Sequence, residues 1–282
     1  MRGVIPPGVR AKQGVHDGGF GTARAGYGGL VRVATFNILN GRVPTDQHVD
    51  LRGLEESVRL LDADVLALQE VDRNQHRSND ADLTAIAAEA MAAPEHRFVA
   101  ALAGTAGTTW IAATGEEQPD AAAYGIALVS RFPVHGWEVI RLAPLRTRVP
   151  FWFKGRKLPY LVHDEPRVAV VATVETPRGL VTFVNTHLSF IPGWNARQLR
   201  HLVRSLAGRP GPTVLVGDLN MGPKQAGRLT RMRAAASHPT FPVDGPREQL
   251  DHILLSDGLV ASHGQAHALP ISDHRALSVE LS

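Results

Sequence analysis

Arg-Val-Ala-Val-Val-Ala-Thr-Val-Glu-Thr-Pro-Arg-Gly-Leu-Val-Thr-Phe-Val-Asn-Thr-His (167–187) reads as two neighbouring strands joined by a tight turn. Apolar and β-branched residues fill 167–175 and 180–186. Between them Pro177 presets φ and Gly179 tolerates the left-handed backbone that a short reversal needs. Strands this close in sequence pair antiparallel, whereas successive parallel strands are separated by a helix. The segment therefore argues for mixed or antiparallel sheets and against a doubly wound parallel one.

Working outward, strand-like runs recur near 97–102, 108–113, 124–130, 135–141, 213–217, 250–255 and 276–281, and Val31–Phe36 alternates like a strand. Asp64–Gln69 is a short apolar run typical of a buried strand. Helical spacing unites Leu51, Leu54, Val58 and Leu61 on one face. Residues 82–91 are Ala-rich, and Leu199, Leu202, Val203 and Leu206 mark a third helix with Asn195 as its expected N-cap. Strands outnumber helices, so the expected class is α/β. One globular domain is expected over 31–282, preceded by a Gly-rich, mobile tail over 1–30. Residues 142–166 read as an inserted loop, with Pro144, Pro150, Pro159 and Pro166 around Phe151-Trp152-Phe153-Lys154-Gly155-Arg156-Lys157.

The 282 residues, 44% of them hydrophobic, suffice for one large α/β domain or two small ones. No stretch approaches the ~20 apolar residues that span a bilayer, and the N-terminus lacks a signal-peptide core. A soluble, cytoplasmic monomer is expected. The absence of cysteine excludes disulfides, thiolate catalysis and cysteine zinc sites. A formal net charge of +3 permits a polyanionic partner without demanding one.

Polar residues stand at the ends of apolar strands where a buried strand has no use for them. Asn37 ends Val-Ala-Thr-Phe-Asn, Glu70 ends Val-Leu-Ala-Leu-Gln-Glu, and His187 ends Phe-Val-Asn-Thr-His. Asp218 and Asn220 end Val-Leu-Val-Gly-Asp-Leu-Asn, Asp251 opens Asp-His-Ile-Leu-Leu, and Asp273-His274 precede the last strand. Taken singly, each has an ordinary explanation as a turn residue, a solvated strand end or a packing histidine. Eight such residues in one chain are hard to attribute to turns. Glu70, Asp273 and the Asn37 amide offer oxygen only, which suits magnesium or manganese and not zinc. There is no phosphate-loop glycine motif and no nucleophile elbow.

Thr-Phe-Asn-Ile-Leu (35–39), Leu-Gln-Glu-Val-Asp (68–72), Tyr-Gly-Ile-Ala-Leu-Val-Ser-Arg (124–131), Asn-Thr-His-Leu (185–188), Gly-Asp-Leu-Asn (217–220), Leu-Asp-His-Ile-Leu (250–254) and Ser-Asp-His-Arg-Ala (272–276) stand in that order. This ordered set resembles the endonuclease/exonuclease/phosphatase family, from about Val31 to Ser282. Any one motif is weak, and the ordered seven are specific. The resemblance implies a four-layer sandwich of two packed mixed β-sheets flanked by helices, with the site at one end. It implies a metal-dependent hydrolase of phosphate esters, most naturally a nuclease-like phosphodiesterase. Glu70, helped by Asn37 and Asp273, would hold Mg2+, with Mn2+ the alternative. Asp218 would orient or deprotonate the attacking water, and Asn220 would fix the phosphate. His187 and His274 would donate to the phosphate, and Asp251 would orient His274. Arg73, Arg77 and Arg167, with Tyr124, are candidates for binding substrate; a loop arginine can equally be only solvated.

Substrate class stays open among nucleic acid, a lipid head group and inositol phosphates, because this fold serves many of them. Residues 236–249 hold only Phe241 as an aromatic, which departs from the abasic-endonuclease pattern. The aromatic, basic loop could stack on unpaired bases, enter a membrane interface, or simply pack against a sheet edge. Readings outside enzymology are a catalytically inert module and a nucleic-acid binder without turnover; the intact acidic set argues against the first, the modest charge against the second.

Overall fold

The computed structural model of the chain describes residues 29–108, 110–151, 158–209 and 211–282. The expected tail up to residue 28 and the loop centre at 152–157 lie outside the described residues. In chain order the first elements are β1 (Val31–Asn37), α1 (Leu51–Leu61), β2 (Val65–Arg73), α2 (Leu83–Met91), β3 (Glu95–Ala103) and β4 (Ile111–Ala112). Then come β5 (Ala123–Ser130), β6 (Val134–Leu142), β7 (Val149–Phe151), β8 (Tyr160–Val162), β9 (Arg167–Thr176) and β10 (Gly179–His187). The last are α3 (Trp194–Ser205), β11 (Thr213–Asp218), α4 (Pro223–Thr230), β12 (Arg233–Ala234), β13 (Asp251–Leu255), β14 (Ala261–His267) and β15 (Ala276–Leu281).

Seven strands form one sheet in the order β14-β15-β1-β2-β5-β3-β4, and six form another, β12-β13-β11-β10-β9-β6. Both are mixed: β1–β2 and β10–β11 run parallel, and the other pairs run antiparallel. The opening segment is the antiparallel β9–β10 hairpin, with Thr176 opposite Gly179, whose φ is 99°. Side chains alternate between the faces of a strand, and the core follows that alternation. Val33, Ala67, Val170, Phe183, Val216 and Ile253 fill the space between the sheets. Ala34, Phe36, Leu66 and Leu68 turn outward to Leu54, Val58, Leu61, Leu83 and Met91 of α1 and α2. On the far side Val184, Leu215 and Leu254 meet Leu199, Leu202 and Ala226 of α3 and α4. The result is the expected four-layer sandwich. Each large side chain buried in it contributes about 1.5–3 kcal/mol.

Local chemistry sets the helix starts. Asp50 caps α1 by accepting from Gly53 N, and Asp82 caps α2 by accepting from Thr84 N and Ala85 N. Asn195 does not cap α3, contrary to expectation. The helix begins two residues earlier, at Trp194 after Gly193, whose φ of 85° lets the chain enter at that angle. Asn195 instead accepts from Gly193 N at 3.1 Å and donates to Asn220 O at 2.7 Å. The segment 108–113 is strand only at β4. No element was expected at α4, which is short and carries Gly227, at β12, or at β14, a polar edge strand without alternation, and β7 and β8 stand where a loop was expected.

One polar group crosses the apolar layer. Asn185 of β10 donates to Leu68 O at 2.9 Å and Ala127 O at 2.7 Å in the facing sheet. Its Oδ1 accepts from Gln69 Nε2 at 2.7 Å, and Gln69 also meets Thr35 Oγ1 at 3.0 Å. Asn185→Ala would remove the side-chain donors from two buried carbonyls and one of the two acceptors of the Gln69 amide, which keeps Thr35 Oγ1. Urea denaturation should show a loss of about 3 kcal/mol, since each buried orphan costs about 1–3 kcal/mol. A loss below about 1 kcal/mol would mean that water or relaxation replaces these bonds.

Candidate active site

The expected residues meet at one edge of the sandwich because of strand direction. β1, β10 and β11 end there, while β13 and β15, antiparallel to β11 and β1, begin there. Register lines up His187, Asp218 and Asp251 in one row across three neighbouring strands. Gly217 is needed beside them: its φ is 131°, and a Cβ would sit 1.9 Å from Thr186 O, which would force β10 and β11 apart. Glu70 is not at the end of β2. It occupies a bulge between Gln69 and Val71 with φ of 55°, which turns its side chain out of the regular alternation.

A continuous set of polar contacts joins the two sheets across this edge. Asp251 Oδ2 accepts from His274 Nδ1 at 2.8 Å, and His274 Nε2 then faces Asp218 Oδ2 at 3.9 Å. Asn37 Nδ2 donates to Asp218 Oδ2 at 3.1 Å and to Glu70 Oε1 at 3.0 Å. The amide thus spans the two carboxylates, while its Oδ1 accepts from Leu39 N. His187 Nε2 stands 3.5 Å from Asp218 Oδ2 and 3.3 Å from Asn220 Nδ2, whose NH2 can only donate. Asn220 N closes back on Asp218 Oδ1 at 2.9 Å. Asp273 is half-buried, precedes His274 in the chain and contributes to the fields at Glu70 and His274. The Phe241 ring rests against His274 at 4.9 Å between centroids.

Burial dominates the electrostatics. It pushes the Asp218 carboxyl up to about 7, with the Asp251 charge adding and His274 opposing. It raises Glu70 as well, against the Asn37 hydrogen bond. His187 is held well below the usual imidazole range by burial and by the nearby Arg167 and His274 charges. His274 goes the other way. Burial works against its proton, but the charge and hydrogen bond of Asp251, then Asp218 and Asp273, outweigh it and push it up to about 10. One histidine is thus neutral and the other cationic, in one pocket.

The four further candidates divide. Arg167, buried at the start of β9, pairs with Glu165 at 3.2 Å and contributes to the fields at Glu70, Tyr124 and His187. Tyr124 is buried beside Glu70 and raised well above its ordinary range by burial and by that carboxylate. Arg77 places two donors on Asp72, both at 2.7 Å, with its guanidinium over the rings of Trp110 and Tyr124. Arg73 lies over Phe98 and reaches Ala121 O, so it belongs to the wall of the sheet.

Residues that hold the site were not singled out by sequence. Asn40 donates to Glu70 O and Asp72 Oδ1, Ser272 Oγ binds Asn37 O and takes His274 N, and Asn195 ties down Asn220. Asn40 adjoins the motif at 35–39 and Ser272 opens the one at 272–276, which is the signal they give. A divalent hard cation fits this edge by donor chemistry. Glu70 and Asp273 offer carboxylate oxygen, Asp251 Oδ1 is buried without a partner, and the donor atoms of Asp218, Asp251 and His274 lie within 4.8 Å of one another. No helix among the described residues is long and apolar enough to cross a membrane.

Comparison with known proteins agrees with this geometry. A model of the Endonuclease/Exonuclease/phosphatase family matches residues 34–274. No curated protein matches the sequence. Among solved structures, an endonuclease/exonuclease/phosphatase from Beutenbergia cavernae superimposes with a TM-score of 0.61 at 23% identity, over 89% of this chain and 71% of that one. One from Bacteroides vulgatus gives 0.61 at 18% identity, over 90% and 98%. A mannosyl-6-phosphatase from Bacteroides thetaiotaomicron gives 0.53 at 16% identity, over 89% and 99%. At such identities the likeness speaks for the fold.

Proposed function

Since the chain belongs to the endonuclease/exonuclease/phosphatase family, a family of phosphoester hydrolases, we propose that it is a divalent-metal-dependent phosphodiesterase. The observation that carries this is the contiguous set of buried Asp251, His274, Asp218 and Asn37 with half-buried Glu70 at one edge. Magnesium, or manganese, held by Glu70 with Asp273 and Asn37 beside it, would neutralise charge on a non-bridging phosphate oxygen.

The remaining chemistry falls to the chain's own groups. Asp218, pushed up to about 7, is poised to accept a proton from the attacking water at neutral pH. As the water oxygen bonds to phosphorus, the ester oxygen leaves with its electron pair and is reprotonated from solvent. His274, kept cationic by Asp251, stabilises the charge that builds on the phosphate, and neutral His187 with Asn220 fixes the phosphate's orientation. Arg167 and Tyr124 are the substrate contacts of this proposal; Arg77 and Arg73 brace the wall behind them. A nuclease-like action on nucleic acid is the finer assignment, supported by the basic net charge. A phospholipid or inositol-phosphate esterase is the second, favoured by the exposed Leu158 and Leu161 near the exposed Arg146 and Arg148.

The test is hydrolysis of bis-p-nitrophenyl phosphate with magnesium, on wild type and two variants. His274→Ala should lower turnover by about 10²-fold or more, the scale of a positioned charge-stabilising group. Asp251→Asn should cost less, because asparagine still reaches Nδ1 while the charge is lost. Absence of turnover on any phosphate ester would overturn the proposal; a larger loss at Asp251 would reverse the two roles.

A further inference from the structure

Two stretches of left-handed backbone meet at Glu70, and one amide joins them. Glu70 sits in the β2 bulge at φ 55°, and Leu39 and Asn40, just after β1, stand at 45° and 57°. Leucine and glutamate rarely adopt this region, whereas asparagine tolerates it, so both stretches persist only where neighbours over-determine them. Asn40 Nδ2 is such a neighbour, donating to Glu70 O at 3.0 Å and to Asp72 Oδ1 at 3.3 Å. Asn40 is buried, where such bonds are stronger than in water. Ile38 N adds a bond to Gln69 O at 3.0 Å.

Asp72 and Arg77 fix the amide from behind. Asp72 is fully buried and accepts from Arg77 Nε and Nη2, both at 2.7 Å, as well as from Asn40. A buried carboxylate needs such a cation, and a two-pronged guanidinium also sets the direction in which it points. Arg77 is held in turn over the rings of Trp110 and Tyr124. Its loop is anchored by Gln75, which donates to Gly104 O at 2.8 Å and accepts from Ala106 N at 3.2 Å. A line of contacts thus runs from that loop to the main chain of Glu70, while Asn37 holds the carboxylate itself.

We propose that Asn40, oriented by the Asp72–Arg77 pair, is a positioning residue that sets the affinity of the site for its divalent cation. It does so by fixing the bulge from which the Glu70 carboxylate projects. The proposal rests on Glu70 as the metal carboxylate of the function proposed above. A carboxylate on a loosened bulge must be ordered each time the ion binds, which weakens binding. Partners one step removed from a metal change its affinity in this way. The chemical step is less exposed to the change, because His187 and Asp218 stand on β10 and β11 of the other sheet. Gripping a substrate phosphate is the competing role for Arg77, and its two bonds to Asp72 stand against it.

The test is calorimetric titration of the full chain with manganese in the absence of substrate, set beside turnover of bis-p-nitrophenyl phosphate against magnesium concentration. Asn40→Gly removes the amide and keeps the left-handed backbone accessible. The manganese dissociation constant should rise by about tenfold or more, and the magnesium needed for half-maximal turnover with it. At saturating magnesium, kcat should fall by less than the affinity does. Asn40→Asp fills the same space but sets a second carboxylate against Asp72, and should weaken manganese binding at least as much. Arg77→Lys keeps the charge and loses the fork, so it should shift manganese affinity in the same direction. Unchanged affinity in folded Asn40→Gly, with only a lower melting temperature in chelator, would mean a structural role and overturn the proposal. So would a loss confined to kcat at saturating magnesium. If neither Asn40 variant folds, unchanged manganese affinity in Arg77→Lys overturns it. Wild-type affinity in Glu70→Gln would overturn the metal assignment of the proposed function as well, which distinguishes the two failures.

Discussion

Asp218→Asn is expected to lower kcat by about 10²-fold or more while leaving the folded chain at least as stable as wild type. The carboxylate is 2% exposed and faces His187, His274 and Asn37 on one oxygen, with Asn220 N on the other. Asparagine fills the same space and cannot accept a proton. Stability should move the other way because the native carboxyl is held at about 7 against an ordinary 3.8, so the folded state binds this proton more readily than the unfolded state. What the group contributes to stability is full below the unfolded value of 3.8 and is lost as pH rises through about 7. Asparagine has no proton to lose. In chelator, the variant should therefore melt at or above wild type, with the gap widening across that window. Stopped assays and a pH series of thermal melts check both halves. Near-wild-type turnover would place the chemistry elsewhere, and a variant that melts lower at pH 8 would contradict the electrostatic picture.

Exhaustive chelation is expected to abolish turnover, and magnesium or manganese to restore it. Glu70 is a half-buried carboxylate that accepts from the Asn37 amide and is repelled by Asp273, a placement that a cation would relieve. A ligand that binds only the folded state raises the melting temperature by mass action, about 2.7 kcal/mol of stabilisation at a hundredfold excess over Kd. Added magnesium should thus shift the melt of wild type and leave that of Glu70→Gln nearly still. Full activity after chelation would remove the ion from the chemistry. An equal thermal shift in Glu70→Gln would move the ion to another set of donors.

The strands and the polar residues at their ends were legible in the apolar runs, and the four-layer arrangement was what the family resemblance implied. Apolar runs such as Val-Leu-Val before Gly217-Asp218 state both that a strand is buried and where burial stops. Once strand directions are fixed, those stopping points fall on one edge. What stayed hidden depends on partners far along the chain. Asn185 looked like one letter of a motif, and its role comes from Leu68 and Ala127, 117 and 58 residues away. Arg77 looked free to grip a phosphate; its bidentate bond to Asp72 requires the turn between them to fold back. Asn195 has an N-cap's residue type, but Gly193 claims the helix start and leaves its amide to Asn220. The Glu70 bulge leaves no mark in a run that reads as regular strand.

The polar edge is divided between the sheets: Asn37, Glu70 and His274 belong to one, His187, Asp218 and Asp251 to the other. No single layer owns a complete set. The spacing on which proton transfer depends is therefore set by the thickness of the apolar filling, by side chains such as Val33, Phe183 and Val216 of the cluster between the sheets. Thinning that filling would bring the halves together wrongly, and overfilling it would hold them apart. Selection on turnover thus acts on the hydrocarbon interior as directly as on the acids and imidazoles at its rim.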